Sequence, residues 1–162
     1  MSKIVKFFKR NERNGYMSNW WLADFKINGQ VFDSVEQYMM WRKAMLFNDT
    51  YNANKILEET NPALIKKYGR AVKGFVGSEW DAIREEVVYQ GCLAKFSQNE
   101  DLKQKLLSYD VDSIFVECSP YDKIWGIGLK ASDSRSDNME TWEGQNLLGK
   151  CLSRVRKELE KE

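Results

Sequence analysis

The sequence contains no histidine. This absence excludes the serine–histidine and cysteine–histidine nucleophile pairs, and every metal site built on imidazole. If the chain is an enzyme, proton transfer must come from carboxylates, lysine, tyrosine or water. The three cysteines, Cys92, Cys118 and Cys151, are odd in number and widely spaced. They indicate free buried thiols rather than disulfides or a zinc site, and we expect neither a metal nor a cofactor.

The chain also has little net charge and no long apolar run. The formal net charge is +1 and no long basic run occurs, so a nucleic-acid partner held mainly by phosphate neutralisation is not favoured, although a local basic groove remains open. No apolar run approaches the roughly 18 residues of a membrane span, and residues 1–10 lack the apolar core of a secretory signal. We therefore expect a cytoplasmic protein with no membrane contact.

What the chain does contain is enough apolar surface for a folded core. Hydrophobic residues make up 43% and aromatic residues 13% of 162 residues, which argues against disorder. The simplest organisation is a single domain over residues 1–162. Helical patterns outnumber strand patterns, which predicts an α+β fold, mostly helical around a small β-sheet.

Local patterns place the individual elements. Asn28-Gly29 predicts a hairpin, because Asn-Gly supplies the positive φ values of a type I′ turn. Asn61-Pro62 predicts a helix start, and Ser78 is predicted to cap the helix that follows the next loop. Residues 130–140 are polar and predict a mobile loop. The predicted elements are strands at 3–8, 24–27, 30–32 and 113–118, and helices at about 34–47, 50–59, 62–70, 79–96, 99–107 and 146–161.

The stretch Ser34–Lys43, SVEQYMMWRK, carries the strongest functional signal. Asp33 or Ser34 can cap a helix, and Glu36 or Gln37 stands three residues later as a capping box requires. Glu36 and Lys43 then project from one helix face, roughly 10 Å apart along the axis. The pair is either two solvated charges or an acid and an amine in the wall of a site. A carboxyl group against apolar side chains would keep a raised pKa and could donate a proton at neutral pH.

Three further motifs are candidates, each with a purely structural alternative. Asp122 precedes WGIGL, where Gly126 allows close backbone approach and Trp125 could stack on a base or sugar, unless the motif is only a tight turn. Asn146 lies at a helix start between Gly144 and Gly149, where the glycines allow close packing or an anion, unless they only set the geometry of helix entry. Arg70 ends a helix, where it is either a cap partner or a bidentate phosphate ligand. Trp80 reads as core or as a cleft wall.

Together these motifs resemble the NADAR family, the YbiA-like N-glycosidases. The resemblance covers about residues 6–156, and the order of its motifs is more specific than any one of them. The motifs are KFF at Lys6–Phe8, MSNWW at Met17–Trp21, SVEQYMMWRK at Ser34–Lys43, Gly69-Arg70, Trp80, CLAKF at Cys92–Phe96, DKIWGIG at Asp122–Gly128 and GQNLLG at Gly144–Gly149.

The resemblance implies a YbiA-like fold and a hydrolase that cleaves an N-glycosidic bond. The implied catalytic residues are Glu36 as acid or base, Lys43 as a phosphate-holding ammonium or as an amine that forms a Schiff base, and Asp122 as a stabiliser of the ribosyl cation. The implied substrate-binding residues are Asn19, Arg70, Trp80, Trp125, Gly126 and Asn146.

Two substrate classes follow from the resemblance. One is the ribosylamino-pyrimidine phosphate intermediates of riboflavin biosynthesis, and the other is ADP-ribose attached to guanine, which would bring a transient contact with nucleic acid. Ile127 departs from the riboflavin-type members, which carry an acidic residue after the first glycine. The alternative function is a module that binds a nucleotide or ADP-ribose without catalysis, which predicts the same residues and no release of free base.

Overall fold

The computed structural model describes residues 3–162, and helices outnumber strands as expected. Its strands are β1 (Ile4–Phe7), β2 (Phe25–Ile27), β3 (Gln30–Phe32) and β4 (Ile114–Glu117). Its α-helices are α1 (Val35–Leu46), α2 (Thr50–Glu58), α3 (Pro62–Arg70), α4 (Gly77–Gln98), α5 (Glu100–Leu107) and α6 (Leu147–Glu160). The α+β prediction is confirmed. Within residues 3–162, no helix has both the length and the apolar character that a bilayer crossing needs.

Contacts divide the chain into two compact units, and the sequence of unit 2 is inserted into that of unit 1. Unit 1 comprises residues 1–21 and 100–162, and unit 2 comprises residues 22–99. The strands follow this division, so the one small sheet expected from the sequence is two separate pairs. Local hydrophobic pattern identifies a strand but not its partner, which explains why the two pairs were not distinguished.

Unit 2 is built around α1. Residues Val35–Met40 are all buried, and α1 contacts α2, α3 and α4. The β2–β3 hairpin has the predicted Asn-Gly turn, with φ of 51° at Asn28 and 80° at Gly29. Its Phe32 ring packs edge-on against Tyr38 of α1 at 5.0 Å between centroids. The hairpin therefore closes one end of the helical unit.

Glycine lets two helices approach α1 closely. A Cβ at Gly69 of α3 would lie 2.0 Å from the Sδ of Met40, and a Cβ at Gly91 of α4 would lie 3.2 Å from a Val35 methyl group. Real Cβ contacts are never as short as the first of these, so a side chain at position 69 would require Met40 to move. This packing places Arg70, the last residue of α3, beside α1.

Unit 1 combines a parallel strand pair with α5 and α6. Ile4 of β1 is in register with Ile114 of β4, and Phe7 with Glu117. Helix α6 packs on β4 through Gly149, where a Cβ would lie 2.0 Å from the Phe115 carbonyl oxygen. The side chains of Val116, Cys118, Ile127 and Leu129 form a buried cluster beside this pair.

Two local predictions differ from the structure. Ser78 does not cap α4, which begins one residue earlier at Gly77 and follows Val76 without a side-chain cap bond. The Val76 carbonyl instead accepts the N–H groups of Glu79 and Trp80. Residues 130–140, expected as a polar loop, contain a 3-10 helix at Ser134–Asp137 and the start of another at Met139–Thr141.

Long-range contacts explain that second difference. Lys6 of β1 forms a 2.7 Å ion pair with Asp137, and the Trp142 indole N–H donates to the Ser136 carbonyl at 2.9 Å. Ser136 is fully buried. Composition identified residues 130–140 as polar, but their structure depends on a contact with Lys6 of β1, which is far away in sequence.

Candidate functional site

The start of α1 is fixed by hydrogen bonds of the Gln37 side chain and by a serine cap. The Ser34 Oγ accepts the Gln37 N–H at 3.1 Å, as the capping pattern predicts. The Gln37 side chain accepts the Asp33 N–H at 2.8 Å and donates to the Ile56 and Glu59 carbonyls at the end of α2. Glu36 lies between Ser34 and Gln37 in the sequence, so the helix backbone is held on both sides of it.

Glu36 is buried and electrically coupled to Lys43. Only 5% of Glu36 is exposed, which rules out the alternative of two solvated surface charges. Burial lowers the pKa of the Lys43 ammonium, the Glu36 carboxyl raises that pKa, and the Arg70 guanidinium lowers it. Glu36 and Arg70 therefore each lie within electrostatic reach of Lys43. Unit 2 thus brings together three of the residues singled out in the sequence.

Phe75 adds an aromatic ring to this group, and the sequence analysis missed it. The Lys43 Nζ lies 4.6 Å from the centroid of the Phe75 ring, within the range of a cation–π contact. The ring also stacks on Phe47 at 5.5 Å with 16° between the planes. The sequence does contain a signal for Phe75, because this aromatic residue stands in a loop between Gly74 and Gly77. Glycines make a loop conformationally free, and an aromatic side chain in such a loop has few core residues to pack against.

The remaining predicted residue of unit 2 is Trp80, which is 6% exposed and belongs to the core. It has little surface to offer a ligand. Lys95, in the CLAKF motif, is buried as well, and burial lowers its pKa to about 8. Burial of an ammonium group costs free energy, so packing alone does not explain why a lysine stands at position 95.

In unit 1, Asp122 organises the turn that carries Trp125. One oxygen of its carboxylate, Oδ1, accepts the N–H groups of Ile124 at 2.9 Å and Trp125 at 2.8 Å. Ser119 Oγ in turn accepts the Asp122 N–H at 3.1 Å. The turn alternative raised for this motif is therefore real, and Oδ1 is used in it.

Gly126 and Asn146 contribute to the fold around that turn. A Cβ at Gly126 would lie 2.9 Å from the Glu117 carbonyl oxygen, so this glycine is required by the backbone itself. The Asn146 side chain accepts the Glu117 N–H at 3.1 Å and donates to the Phe115 carbonyl at 2.9 Å. Asn146 holds the left-handed conformation, with φ of 54°, at the start of α6. Its amide joins α6 to β4.

Asn19 and Ile127 complete the sequence candidates in unit 1. Asn19 is buried, directly after the 3-10 helix Gly15–Met17. Ile127 is fully buried against Val116 and Cys118. The departure from the riboflavin-type pattern therefore lies within the core, where burying a carboxylate would cost free energy.

Within residues 3–162, no three or more cysteine, aspartate or glutamate side chains lie together as potential metal ligands, so they form no metal centre. All three cysteines are free and buried, as predicted. Burial raises the pKa of Cys92 to about 12 and of Cys118 to about 11. Thiols with such pKa values are poor nucleophiles at neutral pH.

Comparisons with known proteins agree with the geometry. The chain is 44% identical to N-glycosidase R617 of Acanthamoeba polyphaga mimivirus, over 96% of this chain and 96% of that protein. It is 28% identical to riboflavin biosynthesis protein VVA0006 of Vibrio vulnificus, over 99% of this chain and 40% of that protein. The NMR structure of the Escherichia coli protein YbiA superposes with a TM-score of 0.81 at 25% identity, over 99% of this chain and 88% of that one.

The same protein of Escherichia coli is named N-glycosidase YbiA, and enzymes of that name hydrolyse N-glycosyl bonds. The model of the NADAR domain matches residues 6–160, nearly the whole chain. The fold matches YbiA, a relative matches over 96% of its length, and Glu36 of α1 and Arg70 of α3 both act electrostatically on Lys43. The chain belongs to the NADAR domain family.

Proposed function

We propose that this protein hydrolyses the N-glycosidic bond between a base and a ribose or phosphoribose. The observation that carries the proposal is the buried Glu36 carboxyl on α1, within electrostatic reach of Lys43, on which Arg70 also acts. Hydrolysis breaks the bond from the ribose C1′ to the base nitrogen, adds a proton to the base and adds hydroxide to C1′. A carboxyl group can deliver that proton or activate that water.

Lys43 has two chemically distinct roles within this proposal. As an ammonium it holds a phosphate together with Arg70, whose planar guanidinium binds two phosphate oxygens at once. As a neutral amine it adds to C1′ of the ring-opened ribose, releases the base and leaves an imine that water hydrolyses. Burial and Arg70 both lower the pKa of Lys43, which favours the amine. Borohydride added during turnover should trap the imine on the wild-type protein and leave a Lys43→Arg variant unlabelled.

The resemblance assigns a second group to the same reaction. Asp122 would stabilise positive charge on the ribose, Trp125 would contact the base or sugar, and Asn19 would position substrate through hydrogen bonds. Gly126 allows backbone approach in this group. The assignment is supported by motif order alone and is tested separately from Glu36.

The decisive experiment offers both substrate classes to one protein sample. A ribosylamino-pyrimidine phosphate and a guanine-ADP-ribosylated oligonucleotide are incubated in parallel, and the released base and sugar are separated by chromatography. The name of the Vibrio relative favours the first substrate, and the family resemblance allows the second. We expect one of them to be cleaved, and tight binding without any released base would instead identify a binding module.

Glu36→Gln is the matched variant for that assay. It keeps the size of the side chain and removes the acid, so we expect a loss of roughly 10²- to 10⁴-fold in kcat with an unchanged circular dichroism spectrum. A folded Glu36→Gln protein with full activity would remove Glu36 from the mechanism. The loss should be the same whichever substrate class is cleaved, because both reactions protonate a departing base.

A further inference from the structure

We infer that Phe75 is the residue on which the base of the substrate stacks. The inference rests on the proposed N-glycosidase function, and it names a binding position that neither the family motifs nor the sequence patterns supplied. Three observations carry it: the distance of the ring from Lys43, the exposed surface of the ring, and the fixed geometry of the loop that bears it.

The distance comes first. Lys43 Nζ lies 4.6 Å from the Phe75 ring centroid. In its role as a neutral amine, Lys43 acts at C1′ of the ribose, the carbon that carries the base. The Phe75 ring, 4.6 Å from Lys43 Nζ, is therefore within reach of that base.

The exposed surface comes second. Phe75 is 43% exposed although it contacts both Phe47 and Lys43, whereas Trp80 is 6% exposed. Stacking needs accessible surface, and Phe75 has more of it than Trp80. Base–aromatic stacking depends on the π-face and not on hydrogen bonds, and it serves a purine and a pyrimidine equally well.

The loop geometry comes third. The Asp49 carboxylate accepts the Lys73 N–H at 2.8 Å, and the Asn52 side chain donates to the Ala71 carbonyl at 3.3 Å. Both partners lie at the start of α2, and Asp49 is itself fixed by Asn52 at 2.7 Å. The residues just before Phe75 are thus held to a helix end, which reduces the entropy lost when a ligand settles on the ring.

The first test measures binding and does not depend on turnover. GMP, UMP and ribose 5-phosphate share a phosphorylated ribose and differ in the base, so titration calorimetry with each isolates the contribution of stacking. We expect the wild-type protein to bind both nucleotides more tightly than ribose 5-phosphate by roughly five- to 150-fold. Phe75→Leu should abolish this preference and leave the affinity for ribose 5-phosphate within twofold, and Phe75→Trp should restore it.

Tyr51 provides the matched control. It is an exposed aromatic residue with a lysine, Lys55, 5.7 Å above its ring, and it lies on α2. Tyr51→Leu should keep the preference for nucleotides, since its ring is not next to Lys43. A Phe75→Leu protein with the wild-type preference would overturn the inference, as would equal losses for ribose 5-phosphate and the nucleotides.

The second test measures turnover and separates the two proposals. With the substrate that the wild-type protein cleaves, Phe75→Leu should reduce kcat/KM by the same factor as the loss of nucleotide affinity. If the wild-type protein cleaves neither substrate while Phe75→Leu still loses nucleotide binding, the N-glycosidase proposal fails and the stacking position stands. If cleavage occurs and Phe75→Leu matches the wild-type protein in both assays, the stacking position fails alone.

Discussion

The Arg70 guanidinium lies close enough to Lys43 to lower the pKa of its ammonium, while Glu36 raises it from the same helix as Lys43. The two neighbours therefore oppose each other, and their removal should have opposite effects. We expect Arg70→Gln to raise the pKa of Lys43 and Glu36→Gln to lower it. NMR titration of ¹³C-dimethylated lysines measures both, with Lys43 assigned from the spectrum of Lys43→Arg.

Lys3 supplies the internal control for that titration. Its pKa is raised by a hydrogen bond and an ion pair with Asp110, at 2.7 Å. Neither substitution touches this pair, so the Lys3 signal should titrate at an unchanged pH. Shifts of Lys43 in the same direction in both variants would mean that the three groups do not form one electrostatic cluster.

Asp122→Asn separates a structural from a chemical role for this residue. The asparagine carbonyl can accept the Ile124 and Trp125 N–H groups as Asp122 Oδ1 does, so the turn should survive and the melting temperature should stay within a few degrees. The negative charge is lost, and we expect kcat to fall roughly 10²- to 10³-fold if it stabilises the ribosyl cation. Full activity in Asp122→Asn with a lower melting temperature in Asp122→Ala would show that Asp122 only builds the turn.

The buried Lys95 should make the free energy of unfolding depend on pH in the alkaline range. Burial lowers its folded-state pKa to about 8, below the value of 10.5 for an unperturbed lysine. Below pH 8 both states carry the proton, and the fold bears the cost of a buried ammonium. Between pH 8 and 10.5 only the unfolded chain holds the proton, so the free energy of unfolding rises with pH, by roughly 2–4 kcal/mol in total.

Urea unfolding of the wild-type protein and Lys95→Met at pH 7.5 and pH 10 measures this contribution. Cysteine and tyrosine residues also titrate in this range, and the difference between the two proteins removes their effect. We expect the wild-type protein to gain stability relative to Lys95→Met at the higher pH. A difference that is the same at both pH values would contradict a lowered pKa for Lys95.

Gly149→Ala should destabilise the fold although alanine is the better helix former. A Cβ at this position would lie 2.0 Å from the Phe115 carbonyl oxygen, and backbone cannot move aside as a flexible side chain can. Overpacking of this kind costs about 1–3 kcal/mol, which exceeds the helix-propensity gain of about 1 kcal/mol. Gly77→Ala at the start of α4 is the matched control, because no atom lies within 4 Å of its Cβ position and a gain of up to about 1 kcal/mol is expected. Equal effects in the two variants would disprove the close contact between α6 and β4.

Local chemistry in the sequence was sufficient to predict most element boundaries. Asn28-Gly29, the Ser34 cap and the Asn61-Pro62 start all have the predicted form, because each depends on residues within four positions. Ser78 failed as a cap since the backbone of Val76 meets the same N–H groups. Capping residues predict a helix end only where no closer acceptor exists.

The candidate site was predictable in part. The seven-residue spacing placed Glu36 and Lys43 on one face, and motif order added Arg70, which α3 brings to the pair through Gly69 and Met40. Phe75 was not predicted because its relation to Lys43 depends on how α3, α4 and the loop between them pack. The hydrogen bonds between Asn146 and the β4 backbone were not predicted, because a sequence shows a polar side chain but not the strand that pairs with it.

The parallel pairing of Ile4 with Ile114 has a consequence for synthesis on the ribosome. The ribosome completes residues 22–99 before it synthesises β4. Helix α1 can therefore pack against its three neighbouring helices while β1 has no partner strand. Closing so long a loop is slow, and an unpaired apolar strand invites association with other chains. Truncated products that end before residue 114 should consequently be recovered in aggregates, even though they contain Glu36, Lys43 and Arg70.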